Sequence, residues 1–211
     1  MNSIWITYAV VSAICIAIAA IGGMATNGTP WAVFIDRRNT WSLTQLQLGL
    51  WALIVIPVLV TFAAVRAMHD PSSAWDFIFP GEDWVILGIS LGSTTTAVIV
   101  KSLKDRPIGT GALAAGARIL TRPAATDAKL SDILTYDEGT NPPLGFDITK
   151  YQNLLFTLAL AGVWLWNAMW MFSKARVSAD LSTLPGMNQT ALAILAVSHA
   201  GYIVGKAVPQ S

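Results

Sequence analysis

The chain has 211 residues, of which 54% are apolar and 12% are charged, with a formal net charge of +1. Ordinary soluble domains carry about 25% charged residues, so this composition argues against a soluble protein, and the near-zero charge offers no electrostatic footprint for nucleic acid. The single cysteine, Cys15, excludes a disulfide framework and a cluster of thiolate metal ligands.

Five apolar runs are candidates for transmembrane helices, because about 20 apolar residues in helical form cross the hydrocarbon core. In chain order they are residues 4–24, 48–65, 84–100, 154–172 and 190–205. The third and fifth are short and contain Gly, Ser and Thr, so a re-entrant segment stays an alternative to a full crossing. The first also resembles a secretory signal, but no Lys or Arg precedes it, which favours a retained helix. We predict an all-α polytopic membrane protein with about five transmembrane helices.

Basic residues predict which side of the membrane each loop occupies, because cytoplasmic loops near membrane helices are enriched in Lys and Arg. With the N-terminus outside, ten of the 13 basic residues fall in inner segments. The inner ones are Arg37, Arg38, Lys101, Lys104, Arg106, Arg118, Arg122, Lys129, Lys150 and Lys206; the outer ones are Arg66, Lys174 and Arg176. We therefore predict an N-terminus outside and a C-terminus inside.

The sequence indicates a direct repeat of a two-helix hairpin. SLTQLQLGLWALIVIPVLV, from Ser42, and DITKYQNLLFTLALAGVWL, from Asp147, enter the membrane in similar ways. The matched positions are Gln47 with Gln152, Trp51 with Phe156, Pro80-Gly81 with Pro185-Gly186, Leu87 to Ser90 with Leu195 to Ser198, and Lys101 with Lys206. Both copies run inside to outside to inside, whereas many alternating-access transporters use inverted repeats. This divides the chain into an N-terminal helix and inner loop (1–41), a first hairpin (42–105), a cytoplasmic segment (106–146) and a second hairpin (147–211).

Small residues crowd one level of the second helix of each hairpin. Membrane helices associate through close packing at Gly, Ala and Ser, so these positions are predicted to form helix-packing faces, with a pore or substrate lining as the alternative. They are Gly88, Ser90, Gly92 and Ser93 in the first copy, and Ala196, Ser198, Ala200 and Gly201 in the second. Gln47 and Gln152, at the inner ends of matched helices, are predicted to cap or cross-link the two hairpins.

The central segment offers two weak motifs. GTGALAAGAR, residues 109–118, is rich in glycine but lacks the Gly-Lys-Ser/Thr ending of a phosphate loop. Around YDEGTNPP the carboxylates do not alternate as they do in a calcium loop, so a capped turn before the fourth helix is the preferred interpretation. These carboxylates belong to Asp132, Asp137, Glu138 and Asp147.

His199 is an ionisable residue inside the fifth predicted span, and such residues are candidates for function. It is a candidate ligand for a chlorin or haem, or a proton relay. It is equally suited to a hydrogen bond between helices, beside Ser198 and Tyr202. Leu91 stands at the matching position of the first hairpin, which disfavours a duplicated cofactor site. We predict no metal site and no bound cofactor, and with no catalytic constellation in view we predict no enzymatic activity.

The order of motifs resembles a group of uncharacterised bacterial multi-pass membrane proteins. The likeness runs from Asp36 onward through DRRNTWSLTQLQLGLW, the GIS helix, LSDILTYDEGTNPPLGFDITKYQ and SHAGYIVGKAVP. This chain departs from that group at His199 and Ala200, where a Gly-containing polar pair is expected. The resemblance implies a duplicated membrane hairpin in the bacterial inner membrane and carries no functional residues with it.

From these features we predict a non-enzymatic scaffold or accessory subunit that packs within a larger membrane complex. Its partners would be other integral membrane proteins or further copies of itself, together with lipids, and not nucleic acid. One alternative is a small transporter or channel in which the two hairpins line a path past Ser90, Thr94, Ser198 and His199. Another is a subunit of a pigment or redox complex that uses His199.

Overall fold

A computed structural model of the chain describes residues 2–81, 118–139, 145–175 and 181–207, together with the single positions 88, 92, 96 and 99. Four α-helices dominate this part of the chain: α1 (Asn2–Asn27), α2 (Leu43–His69), α3 (Ile148–Lys174) and α4 (Gln189–Ala207). The regular β structure described is a two-residue antiparallel ladder between β1 (Arg118–Ile119) and β2 (Glu138–Gly139). The predicted all-helical class is therefore confirmed.

Three of the described helices are long and apolar enough to cross a membrane, over Ser3–Asn27, Leu43–His69 and Ile148–Lys174. They correspond to the first, second and fourth predicted runs and support a membrane-spanning protein. The fifth run is helical but shorter, with an apolar part over Gln189–Val204. The third run, residues 84–100, lies outside the described residues except at four positions.

The main hydrophobic core joins α2, α3, α4 and the start of α1. Its most buried members are Val58, Phe62, Ala168, Phe172, Leu181 and Leu195. Pro57 lies inside α2 without ending it, since neighbouring groups in membrane helices can satisfy the backbone that proline disrupts. There Thr61 Oγ1 donates a hydrogen bond of 2.7 Å to Pro57 O.

The first helix lies at the edge of the bundle. Of its apolar stretch 6% is buried, compared with 44% for the apolar stretch of α2. Its end is fixed by a close turn: a Cβ on Gly23 would stand 2.6 Å from Thr29 O, and Gly28 has a φ of +70°. Only glycine fits the first of these positions, and it is strongly favoured at the second. The chain therefore leaves α1 sharply and returns towards α2.

One end of the bundle, which we call the cap end, is covered by residues 35–41 and 118–139. These two segments form the cap. Asn39, with a φ of 58°, stands at the tip of the first segment, and its Nδ2 donates to Arg122 O at 3.0 Å. Arg122 N donates in return to Arg38 O at 2.9 Å. Beneath them Leu43, Ile133 and Tyr202 form a small apolar cluster, so the cap is seated on the starts of α2 and α3 and the end of α4.

The opposite, far end is closed by contact between the segments that follow α2 and α3. Ile78 pairs with Thr183 in a parallel bridge, in which Ile78 N donates to Ser182 O at 2.7 Å. Arg66 joins the same two segments, because its Nε donates to Ser73 O at 2.9 Å and its Nη1 to Leu181 O at 3.3 Å. Hydrogen bonds from the buried Arg66 to backbone carbonyls therefore link the two segments at the far end.

Candidate functional site

Six polar side chains form a buried network between α2, α3 and α4, close to the cap end. A side-chain hydrogen bond joins each pair of these three helices. Thr44 Oγ1 lies 3.1 Å from Tyr202 Oη, Gln47 Nε2 donates to Thr157 Oγ1 at 2.6 Å, and Ser198 Oγ donates to Asn153 Oδ1 at 3.0 Å. We call these six residues the interhelical network. Because its three bonds close a triangle, it fixes the height and rotation of each helix against the other two.

Because these hydrogen bonds are buried, they contribute to the specificity of helix packing. All six side chains are buried, and Asn153 and Thr157 are 1% and 0% exposed. Lipid offers no replacement partner for a polar group, so each bond favours this one register of the helices. Thr157 Oγ1 also donates to Asn153 O within α3, so its hydroxyl is used twice, as donor and as acceptor.

Helical spacing explains how α3 contributes its two residues to this network. Lys150, Asn153 and Thr157 recur at intervals of three and four residues, and the same face continues through the buried Trp164 and Ala168. Sequence reasoning missed Asn153 and Thr157. The available signal was this spacing, which puts polar residues on the face that becomes apolar further along the helix.

The predicted cross-linking pair lies in two different environments. Gln47 is buried and bonds across to α3 through Thr157. Gln152, its match in α3, is exposed. The structure therefore places Gln47 between α2 and α3 and leaves Gln152 on the surface.

The predicted helix-packing residues are also divided. On α4 the inward face is formed by Leu195, Ser198, His199 and Tyr202, so Ser198 packs while Ala196, Ala200 and Gly201 are exposed. Gly88 and Gly92 are exposed, and a Cβ at either would meet nothing within 4 Å. Ser90 and Ser93 lie outside the described residues. Within the described chain, packing of α4 thus depends on larger and more polar residues than predicted.

His199 is 3% exposed and lies on the inward face of α4. No group of three or more His, Cys, Asp or Glu side chains suited to a metal ion occurs in the part of the chain that the structure describes. A role for His199 as a haem or chlorin ligand, or as a proton relay, stays a prediction.

Among the described residues, Arg122–Asp132 and Lys150–Asp137 form ion pairs that stabilise the cap above the network. Arg122 contacts Asp132 through two bonds, Nε to Oδ2 at 3.0 Å and Nη2 to Oδ1 at 2.6 Å. This hydrogen bonding to Asp132 raises the pKa of Arg122 above its ordinary value, so the guanidinium stays charged. The ammonium of Lys150 donates to Asp137 Oδ1 at 2.6 Å and to the carbonyls of Thr135 and Asp132. Lys150 thereby ties the cap to the first turn of α3.

The turn predicted before α3 is confirmed at its last residue. Asp147 is the N-cap of α3, and its Oδ1 accepts from Thr149 N at 3.0 Å and Lys150 N at 3.1 Å. A carboxylate at this position satisfies backbone donors that the helix cannot pair and complements the positive end of the helix dipole. The carboxylates of Asp132, Asp137 and Asp147 are therefore occupied in pairing and capping.

Comparison with known proteins finds no matching protein-family model, no significantly similar curated protein and no significantly similar solved structure.

The bond between Gln47 and Thr157 can be measured by a double-mutant cycle. We expect Gln47→Leu and Thr157→Val to show a coupling of about 0.6–1.7 kcal/mol, from the average to the largest value found for interhelical hydrogen bonds in a membrane protein. Reversible unfolding by SDS titration gives the free energies of the single and double variants. The matched control pairs Thr157→Val with Gln152→Leu, whose effects should add, because Gln152 is exposed. Equal coupling in both cycles would contradict the network.

Proposed function

We propose that this chain is a non-enzymatic scaffold or accessory subunit that packs within a larger protein assembly of the bacterial inner membrane. The observation that carries the proposal is how the described helices use their side chains. Their buried hydroxyl and amide groups bond from helix to helix, while large apolar side chains remain exposed along α1, α3 and α4. Such a molecule is rigid inside and presents apolar surface to its surroundings.

The proposed architecture is a pair of directly repeated hairpins preceded by one helix, with five crossings in all. Two observations support the repeat. Both ends of α3 lie 105 positions after the corresponding ends of α2. Ile78 and Thr183, which pair at the far end, are separated by the same interval. Matched positions of the two hairpins thus meet, as expected for a duplicated unit.

The proposed orientation puts the cap in the cytoplasm and the N-terminus outside. The cap and the first turn of α3 carry Arg37, Arg38, Arg118, Arg122, Lys129 and Lys150. The far end carries Arg66 and Lys174 among its described residues. The excess of positive charge at the cap end supports a cytoplasmic position.

The alternative of a path through the hairpins receives less support. Ser198, one of its predicted lining residues, is 6% exposed and donates to Asn153, and His199 is packed on the same inward face. Thr94 and Ser90 lie outside the described residues. Of the four residues assigned to the path, the two that the structure describes are used in packing.

Purification of the tagged protein from its native membrane in mild detergent tests the proposal. We expect it to elute with other integral membrane proteins in stoichiometric amounts, identified by mass spectrometry of a single size-exclusion peak. The absorbance spectrum of that peak tests the pigment alternative. Elution without any other protein would contradict the accessory-subunit proposal, and ion flux through the purified protein in liposomes would then favour a channel.

A further inference from the structure

The chain between α1 and α2 folds back against both helices instead of standing clear of their ends. A Cβ on Gly23 of α1 would lie 2.6 Å from Thr29 O, and a Cβ on Gly49 of α2 would lie 2.6 Å from the ring of Phe34. The two glycines thus provide the space that residues 29–34 occupy. We call these residues the connecting segment.

The two glycines also fix the depth of the connecting segment. Gly23 lies four residues before the last residue of α1, and Gly49 lies six residues after the first residue of α2. At about 1.5 Å per residue, these positions are about 6 and 9 Å from the helix ends. Both glycines fall within the apolar runs 4–24 and 48–65. The connecting segment therefore lies beside the apolar parts of two helices that are long enough to cross a membrane.

The connecting segment is itself apolar and uncharged. Residues 30–34 read PWAVF, and the first charged residue of the whole sequence is Asp36. Trp31 and Val33 are 58% and 37% exposed, whereas Ala32 between them is 7% exposed. One side of the segment thus packs on the helices, while the other presents large apolar side chains to the surroundings. Tryptophan in particular is enriched where hydrocarbon meets the lipid headgroups.

The backbone of the connecting segment is suited to an apolar layer. Lipid offers no partner for an open N–H, so non-helical backbone at membrane depth requires partners within the protein. The N–H groups of Ala32 and Phe34 donate to carbonyls within the segment at 3.2 and 2.9 Å, and Phe34 O accepts from Ser42 N at 2.9 Å. Pro30 has no N–H to satisfy. The segment can therefore enter the membrane boundary with these backbone groups paired.

We propose that the connecting segment lies at the cap-end boundary of the hydrocarbon layer, where Trp31 and Val33 contact lipid chains. The connection between the first two helices is then part of the membrane-embedded surface, and the charged part of the cap begins at Asp36. This proposal rests on the membrane-spanning architecture of the proposed function. It does not depend on which proteins the chain binds.

Spin labels on single cysteines of the full-length chain in phospholipid nanodiscs test the contact. In a Cys15→Ser background, Trp31→Cys and Val33→Cys label the segment. Ile18→Cys, at a 65% exposed site on α1, is the lipid reference, and Arg37→Cys, at an exposed charged site, is the aqueous reference. Electron paramagnetic resonance compares the collision of each label with oxygen, which concentrates in hydrocarbon, and with a water-soluble nickel chelate. We expect the oxygen-to-nickel ratio at positions 31 and 33 to exceed that at 37 by about threefold or more.

Two results overturn the proposal. A ratio at positions 31 and 33 equal to that at 37 would place the segment in water, and slow collision with both reagents would show that protein covers it. The reference label at position 18 separates these results from the fate of the bundle. Water access at 33 with high oxygen access at 18 rejects the lipid contact alone, whereas water access at both positions rejects the membrane-spanning architecture as well. Copurification tests the accessory-subunit proposal independently.

Discussion

Replacing Lys150 with methionine is expected to destabilise the cap by about 1–3 kcal/mol, the usual cost of removing a buried donor from its hydrogen-bond acceptors. The side chain of Lys150 is 3% exposed, and its ammonium serves the Asp137 carboxylate and two backbone carbonyls. Methionine keeps the length of the side chain but removes the ammonium that donates to these three acceptors. Hydrogen exchange of residues 118–139, measured by mass spectrometry in detergent, should rise while exchange within α2 stays slow.

Lys129→Met is the matched control for this variant. Lys129 is exposed, and its bond to Asp132 Oδ2 is made by the backbone N–H, which the substitution retains. We expect a change of less than about 0.5 kcal/mol, as for ordinary surface substitutions. If both variants loosen the cap equally, or neither does, Lys150 is not the residue that ties the cap to α3.

The helices were largely predictable from hydropathy, but their lengths were not. The predicted run at 154–172 is part of a longer helix, Ile148–Lys174, and the run at 48–65 is part of the helix Leu43–His69. Hydropathy reports only the part of a helix that lies in hydrocarbon. Beyond it a helix continues through polar residues until a cap ends it, as Asp147 does for α3.

The partners of the polar residues were much less predictable. Gln47 was identified by its place in the repeat, yet Thr157, with which it bonds, is 110 positions away. The small residues of α4 were assigned to packing, but the helix turns Leu195 and Tyr202 inward and leaves Ala196 and Gly201 exposed. Periodicity identifies a face of a helix, whereas the choice of which face is buried depends on neighbours that are distant in sequence.

The cap illustrates the same limit. Its carboxylates were recognised in the sequence and a capped turn was predicted, which Asp147 confirms. The pairing of Asp132 with Arg122 and of Asp137 with Lys150 was not predicted. Ion pairs between a loop and a helix have no characteristic spacing, in contrast to pairs within one helix.

Phe172→Ala is expected to destabilise the whole bundle by up to about 3–5 kcal/mol, the cost of truncating a fully buried phenylalanine in a water-soluble core, which includes a transfer contribution that lipid reduces. Its ring lies 5.6 Å from that of Phe62 on α2, and 6.1 and 5.7 Å from those of Trp5 and Tyr8 on α1. Three helices therefore meet at one side chain near the far end. SDS titration gives the loss of stability, and near-ultraviolet circular dichroism should weaken as the aromatic rings lose their fixed packing.

A comparison of Phe172→Ala with a variant of an exposed apolar residue distinguishes the contribution of packing contacts from that of hydrophobicity. Met68, at the same end of α2, is 62% exposed, so Met68→Ala removes apolar surface that faces the surroundings and should cost less than about 0.5 kcal/mol. Since lipid is as apolar as the core, burial itself gains little in a membrane and the loss at Phe172 must come from lost contacts. Comparable losses in the two variants would show that the aromatic cluster does not hold α1 to α2 and α3.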